Sequence, residues 1–195
     1  MNLDDMCIMA ARYSDRYDEF EKNEDGEYED DALHYFDVFR DGINEAYREV
    51  SRKMAMPDTY TSVKVDKNKQ IALLDVYPSV FAVKELLNDQ RTTSVQYTFS
   101  TKDVLDVSAL PGTVCTLYYH YIPDDLMKFR DAPIFTEAQV DPMVDISLAV
   151  ARMWQSEKKF EYADRWLSTY YTMLREVRNN MKDALRRRIP RRMFR

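Results

Sequence analysis

The chain has 195 residues, of which 45 % are hydrophobic and 32 % are charged, a balance typical of a folded globular protein rather than a disordered one. Its formal net charge is −6, yet residues 1–183 contain 22 basic and 34 acidic residues, because six arginines lie within residues 184–195. The acidic body argues against a general nucleic-acid binder, and three glycines in the whole chain argue against glycine-rich phosphate-binding loops.

The amino-terminal residues lack the apolar core of a signal peptide, and no stretch approaches the length of a membrane span. The two cysteines, Cys7 and Cys115, are far apart in the sequence and do not form a CxxC pair. We therefore expect a reducing intracellular compartment, free thiols and no membrane partner.

The first part of the chain is predicted to form two helices. Apolar residues recur at steps of three and four over residues 3–22, and again over residues 31–56. A short polar segment, NEDGEYEDD, separates the two patterns, and Pro57 ends the second. Two helices with a short connection are expected to pack as an antiparallel hairpin.

The middle of the chain, about residues 59–123, is predicted to be a small antiparallel β-rich insertion. SVQYTFS and TVCTLYYHYIP alternate between the two faces of a strand, and TSVKVDKN and QIALLDVYP are short and β-branched. Residues 78–90 fit a strand or a helical turn, and residues 100–112 fit a strand or a loop ending in a Pro-Gly turn.

Helical periodicity returns over residues 141–156 and 157–183, with Asp141 as an N-cap and Pro142 in the first turn. The order of elements predicts an α+β fold. In it, residues 1–183 form a single domain: a four-helix bundle interrupted by the small antiparallel β-rich insertion. Residues 184–195 are predicted to form an extended, arginine-rich C-terminal tail.

No catalytic residues are predicted. The only histidines are His34 and His120, and His120 lies five residues after Cys115 in a predicted strand, so their side chains are expected on opposite faces. Motifs of nucleotide-binding loops, serine hydrolases and zinc proteases are absent from the sequence. We therefore expect a protein that is not an enzyme.

The closest approach to a metal motif is EKNEDGEYEDDA, residues 21–32. With Gly26 at the sixth position of a calcium-binding loop, acidic and amide residues fall at ligand positions, but Ala32 stands where a bidentate glutamate closes such sites. A solvated acidic turn is the favoured interpretation, and we expect neither a metal nor a cofactor. The residues at the ligand positions are Glu21, Asn23, Asp25 and Glu29.

Tyrosine is unusually abundant, with fourteen in the chain. Because each buried hydroxyl needs a hydrogen-bond partner, and tyrosine is enriched in protein interfaces, part of this aromatic surface is predicted to be a subunit or tail-component contact. The strand LYYHY places Tyr118 and His120 on one face and Tyr119 and Tyr121 on the other. All four are candidate contact residues.

Two stretches carry a family resemblance. TLYYHYIPDDL, residues 116–126, resembles the strand-then-proline segment of head-to-tail connector (adaptor) proteins of tailed bacteriophages, and residues 140–166 resemble the helix pair that follows it. The shared features are Asp141-Pro142-Met143, Asp145, the run Leu148-Ala149-x-Ala151-Arg152 and the pair Tyr162-Ala163.

The resemblance implies a virion structural protein that forms a ring, usually of twelve copies, in the neck between capsid and tail. Such a ring sits under the portal and carries the next neck or tail component (nozzle or tail tube). Its partners would be further copies of itself, the portal and that component, while DNA passes through the channel without sequence-specific binding. During assembly the protein would be in the host cytoplasm.

The resemblance also implies that the C-terminal tail docks into the portal, where arginine forks would pair with carboxylates beside apolar anchors. Direct nucleic-acid binding, as in a regulatory module, is the alternative, and an inert tail ranks third. The docking residues would be Arg186, Arg187, Arg188, Arg191, Arg192, Met193, Phe194 and Arg195.

Overall fold

A computed structural model describes residues 1–18, 20, 28, 30–53, 58–135 and 139–188, with the backbone alone for residues 30, 31, 53 and 180–188. The helices are α1 Leu3–Tyr13, α2 Asp30–Lys53, α3 Met143–Ser156 and α4 Phe160–Arg188. The strands are β1 Asp58–Lys64, β2 Gln70–Ala72, β3 Val80–Asn88, β4 Tyr97–Thr101, β5 Val104–Val107 and β6 Val114–Tyr121, with a 3-10 helix over Leu73–Asp75.

The chain divides into two compact units. A helical unit comprises Met1–Ala55 and Asp125–Arg195, and a β unit comprises Met56–Asp124. The β unit is therefore inserted between α2 and α3. On its return, the chain is fixed to α2 by the buried amide of Asn44, which donates to the Leu126 carbonyl at 3.0 Å and accepts from the Leu126 N–H at 2.7 Å.

The helical unit is organised around α3. The other three helices all pack against α3. The helix is apolar on nearly every side, since residues 144–151 are all buried, together with Met153 and Trp154. A helix that is hydrophobic all round is stable only where neighbours cover it on most sides.

The prediction of a four-helix bundle is wrong, because the helices are not arranged as one. In a four-helix bundle each helix keeps a polar stripe toward solvent. Here α3 is buried on nearly all sides, and α1, at 11 residues, is short beside α2 and α4 with 24 and 29.

Helix α1 ends at Tyr13, well before residue 22, although the apolar periodicity continues. The side chain of Ser14 turns back to donate to the Ala10 carbonyl at 2.8 Å, and Asp15 adopts a left-handed conformation with φ of 59°. A left-handed residue breaks the helical path. Phe20 still reaches the core of the helical unit, where its ring lies 5.9 Å from that of Phe39.

The sequence predicts an extended C-terminal segment, but the first part of this segment is helical. Helix α4 continues through Arg188, so residues 184–188 are helical. Alanine, leucine and arginine, which make up this segment, are all strong helix formers, so local propensity allows the helix to continue.

The β unit contains two three-stranded antiparallel sheets rather than the single small sheet expected from the sequence, with strand orders β1-β6-β3 and β2-β5-β4. The residues of its apolar core come from both sheets and include Leu86, Leu105, Leu117 and Tyr119. Residues 80–88 and 104–107, left open by the sequence, are the strands β3 and β5.

Two turns separate strands that are consecutive in sequence but belong to different sheets. The Asp66 carboxylate accepts from the N–H groups of Asn68 and Gln70 at 2.8 and 2.7 Å, turning β1 into β2. The Asn88 side chain likewise accepts from the N–H groups of Thr92 and Thr93 at 2.8 and 3.1 Å. Such side-chain-to-backbone turns let each pair of strands separate after the turn.

The close approach of α2 and α3 is predicted to be essential for stability. A Cβ added at Gly42 would lie 2.6 Å from the Ala149 Cα. Overpacking of this kind costs about 1–3 kcal/mol, which exceeds the helix-propensity gain of about 1 kcal/mol for Gly→Ala. We expect Gly42→Ala to lower the free energy of unfolding, measured by chemical denaturation.

The matched control is Asp41→Ala, at the exposed neighbouring position of α2, which we expect to change stability by less than about 0.5 kcal/mol. Equal effects of the two substitutions would contradict the importance of the helix contact.

Candidate interaction surfaces

The β unit presents an aromatic surface on one face of the β1-β6-β3 sheet. Tyr60 of β1 pairs with Tyr118 of β6, their ring centroids are 5.4 Å apart, and His120 follows on the same face. The Arg91 guanidinium lies 4.2 Å from the centre of the Tyr60 ring, a cation–π contact that holds this ring in place. We call Tyr60, Tyr118, His120 and Arg91 the tyrosine face.

The four candidate contact residues of β6 are divided between the two faces of the sheet. Tyr118 and His120 belong to the tyrosine face, whereas Tyr119 is fully buried and Tyr121 packs against the core of the β unit. The Tyr119 hydroxyl donates to the Tyr77 carbonyl at 3.2 Å. Tyr119 therefore supports the sheet and offers no surface to a partner.

Sequence reasoning missed Tyr60 and Arg91. Tyr60 alternates with Ser62 and Lys64 along β1, but only the β1–β6 register, Tyr60 opposite Tyr118, shows that the two rings meet. Arg91 lies in the turn after β3 and adopts a left-handed conformation with φ of 55°. No local pattern indicates that a turn residue reaches across to β1.

The helical unit has an aromatic surface of its own, where the end of α1 and the end of α3 meet the start of α4. The Tyr13 and Trp166 rings are 5.5 Å apart, and those of Trp154 and Tyr162 are 5.2 Å apart. The Lys159 ammonium lies 4.7 Å from the Trp154 ring. Since Tyr162 and Trp166 are one turn apart on α4, the four rings, here called the helical aromatic cluster, are contiguous.

The predicted docking tail is described only in part. Three of its residues lie in α4, where the structure describes the backbone alone: Arg186, Arg187 and Arg188. The other five residues lie outside the described residues: Arg191, Arg192, Met193, Phe194 and Arg195.

The structure brings together no pair suited to nucleophilic catalysis at β6. Cys115 is buried in the core of the β unit and His120 lies on the opposite face of the sheet, as their spacing predicted. Burial raises the pKa of the Cys115 thiol, which disfavours the reactive thiolate.

Within the described ranges, no cluster of three or more histidine, cysteine, aspartate or glutamate side chains is arranged to hold a metal ion. Most of the acidic stretch 21–32, considered above as a calcium loop, lies outside the described residues.

A buried polar group lies where α2, α3 and α4 pack together. Asp145 in the first turn of α3 is 3 % exposed, and its Oδ1 atom has no hydrogen-bond partner among the described residues. Burial raises the pKa of this carboxyl to about 8. Close by, the Tyr170 hydroxyl of α4 donates to Glu49 of α2 at 2.6 Å.

One exposed ion pair joins α2 to α3. The Arg152 guanidinium contacts both carboxylate oxygens of Glu45, with Nε 2.8 Å from Oε2, and also donates to Gln155 at 2.7 Å. A two-pronged arginine–carboxylate pair fixes the relative register of two helices more strictly than a single contact. Arg152 belongs to the run on which the family resemblance depends, and here its role is internal.

No model of a known protein family matches the chain, and a search of curated proteins found no match in sequence. In the part of the chain that the structure describes, no helix combines the length and apolar character needed to cross a membrane.

The buried Asp145 predicts an unusual dependence of stability on pH. The folded chain retains a proton that an unfolded aspartate releases near pH 3.8, so this contribution is fully present below that value and is lost as the pH rises through about 8. Between those values the contribution falls by about 1.4 kcal/mol per pH unit.

The substitution Asp145→Asn should remove this contribution, so that the variant gains stability relative to the parent chain as the pH rises from 5 to 8. Urea denaturation across this pH range measures the difference. Parallel stability curves for the two proteins would show that Asp145 is ionised normally in the folded state.

Proposed function

We propose that this chain is a virion structural protein, a head-to-tail connector of a tailed bacteriophage that assembles into a ring of identical subunits. The observation that carries the proposal is the exposure of large apolar side chains on both units. Seventeen are exposed among the described residues, and ten of these are aromatic. Aromatic residues are enriched in protein interfaces, and contiguous exposed apolar surface marks sites of association.

Both units have surfaces suited to lateral or axial contacts. The helical aromatic cluster includes Tyr13 and Tyr162, which are 45 % and 53 % exposed, and Phe160 beside it is 61 % exposed. The tyrosine face of the β unit includes Tyr60, which is 53 % exposed. In the proposed ring, helices form the wall and the β unit contacts the next neck or tail component.

The charge of the chain suits a conduit for DNA. Residues 1–183 contain 22 basic and 34 acidic residues, so the surface of each subunit is predominantly negative. Negative walls repel the phosphate backbone, which allows DNA to pass without being retained. The ring, usually of twelve copies, would sit under the portal in the virion neck after assembly in the host cytoplasm.

The C-terminal residues are proposed to dock into the portal. Six arginines with Met193 and Phe194 offer carboxylate-pairing groups beside apolar anchors. Arginine pairs with carboxylates through two parallel hydrogen bonds as well as through its charge, so the proposed docking depends on geometry in addition to electrostatic attraction.

Light scattering of the chain, alone and with a candidate portal, tests this function. We expect the full chain to join the portal as a ring, and a chain ending at residue 183 to lose this association. A matched control replaces the six tail arginines with lysine, which preserves charge but removes the bidentate fork.

If docking depends on arginine–carboxylate pairs, the lysine variant should bind the portal at least about tenfold more weakly. A chain that stays monomeric with the portal, while both the parent and the lysine variant shift short DNA in a gel, would contradict the connector. It would support the alternative, a nucleic-acid-binding regulatory module.

A further inference from the structure

The β unit has an open seam between β1 and β2. The two strands are joined by the turn at Asp66, but β1 pairs with β6 in one sheet and β2 with β5 in the other. Beyond the turn, where Asp66 N–H bonds to the Gln70 carbonyl at 2.9 Å, the two strands do not pair with each other. Each is therefore an edge strand of its sheet.

The register shows which backbone groups face this seam. Val65 is hydrogen-bonded to the segment that leads into β6, with its N–H 3.0 Å from the Thr113 carbonyl. Because bonded and non-bonded pairs alternate in an antiparallel ladder, Ser62 and Lys64 direct their N–H and C=O groups away from β6, toward the seam.

The same alternation applies to β2. The Leu73 N–H bonds to the Asp103 carbonyl at 2.8 Å, so Ala72 directs its backbone groups toward the seam from the other side. Backbone hydrogen-bonding groups of both β1 and β2 therefore face the seam.

A cleft of about 280 Å³ occupies the seam. It is lined by the buried side chains of Val63, Ile71 and Val76, with Lys64 and Asp75 at its exposed rim. The exposed lining of the cleft is mostly polar, because these three apolar side chains lie beneath it. Free backbone groups along an open cleft are the features that accept an extended strand from another chain, and the main-chain hydrogen bonds give the affinity.

The chain also contains a strand that suits this cleft. β4 lies at the edge of the β2-β5-β4 sheet, and its outer edge has no strand partner among the described residues. The Ser108 N–H bonds to the Gln96 carbonyl at 3.0 Å, so the alternation directs the backbone groups of Tyr97 and Phe99 outward. The Phe99 ring, 55 % exposed and packed edge-to-face on Tyr97, has little cover.

The absence of charge on β4 favours this strand as the occupant. Among the edge strands of the described residues, β1 and β2 border the seam themselves and β3 carries Lys84 and Glu85, whereas β4, Tyr-Thr-Phe-Ser-Thr, carries no charge. An uncharged strand enters the cleft without burying an unpaired charge, which costs several kcal/mol. Natural edge strands usually carry charges that prevent pairing, and β4 lacks them.

We propose that β4 of one copy of this chain inserts at the β1–β2 seam of the next copy, so that a strand added between subunits links them head to tail. The acceptor seam, called the slot below, and the donated strand β4 lie at different edges of the same unit, so the contact between two copies is heterologous. Heterologous contacts generate closed rings when the rotation between neighbouring copies closes. This inference rests on the proposed ring and names the surfaces through which its subunits contact each other.

Three variants of the full chain test the inference by light scattering, alone and with a candidate portal. Phe99→Glu places a charge on the inserting strand. Ser62→Pro removes an N–H group of β1 that faces the seam and leaves the hydrogen bonds between β1 and β6 intact. Ala72→Glu places a larger, charged side chain on β2, at the other side of the seam, and leaves the backbone groups unchanged. Leu110→Glu, at a position 71 % exposed and outside both edges, is the matched control.

We expect the three edge variants to shift the protein from ring to monomer, raising the assembly dissociation constant at least about tenfold, and Leu110→Glu to assemble like the parent. Mixing Phe99→Glu with Ser62→Pro should then give a heterodimer of twice the 23.2 kDa chain mass, because one functional slot and one functional strand remain. The heterodimer also shows that both variants are folded.

The outcomes separate the two proposals. If the parent chain forms a ring and the edge variants form the same ring, the strand insertion is wrong and the connector stands. If Phe99→Glu dissociates the ring but neither slot variant does, the seam is not the acceptor. If the parent chain remains monomeric even with the portal, the proposed function fails first.

Discussion

The packing of α2 against α3 is the constraint on which the rest of the structure depends. At Gly42 the backbone of α2 comes close enough to Ala149 that no side chain fits between the two helices. This contact joins the two segments that flank the β unit, so a separate unit of six strands can be inserted between them without dividing the helical core. Asn44, two residues from the close approach, adds the two buried hydrogen bonds that fix the returning chain at Leu126.

Burial of α3 also determines what the helical unit can present to a partner. Because α3 is covered by its neighbours, the exposed apolar residues of the helical unit come from the other helices and the connecting segments, and the aromatic residues near the start of α4 are among them. Asp145 is a buried carboxyl inside this packing, and it makes the stability of the three-helix contact sensitive to protons. The exposed aromatic surface and the buried core are therefore separate parts of the same unit.

Much of this fold can be predicted from the sequence, because the relevant signals are local. The period-two alternation of β6 correctly separated Cys115 from His120, and Asp141 does accept the Met143 N–H at 2.9 Å at the start of α3. The arrangement of the helices was beyond local reasoning. The periodicity of α1 continues past Tyr13, and only the left-handed Asp15 ends the helix, a conformation that no pattern of apolar residues indicates.

The candidate surfaces were predictable only in part, for the same reason. The residues of LYYHY could be divided between two faces, but their partners Tyr60 and Arg91 are distant in sequence and meet them only through strand register and a turn. The open seam was not visible at all, since it depends on two consecutive strands joining different sheets. Turn residues such as Asp66 show where a chain reverses, not which sheet each strand joins.

We propose above all that this chain forms a ring on a portal, and electron microscopy of the two proteins mixed together tests that proposal most directly. We expect an added ring of density coaxial with the portal, with rotational symmetry, usually twelvefold, and an open central channel. A portal that remains bare, or that carries isolated copies without rotational order, would contradict it.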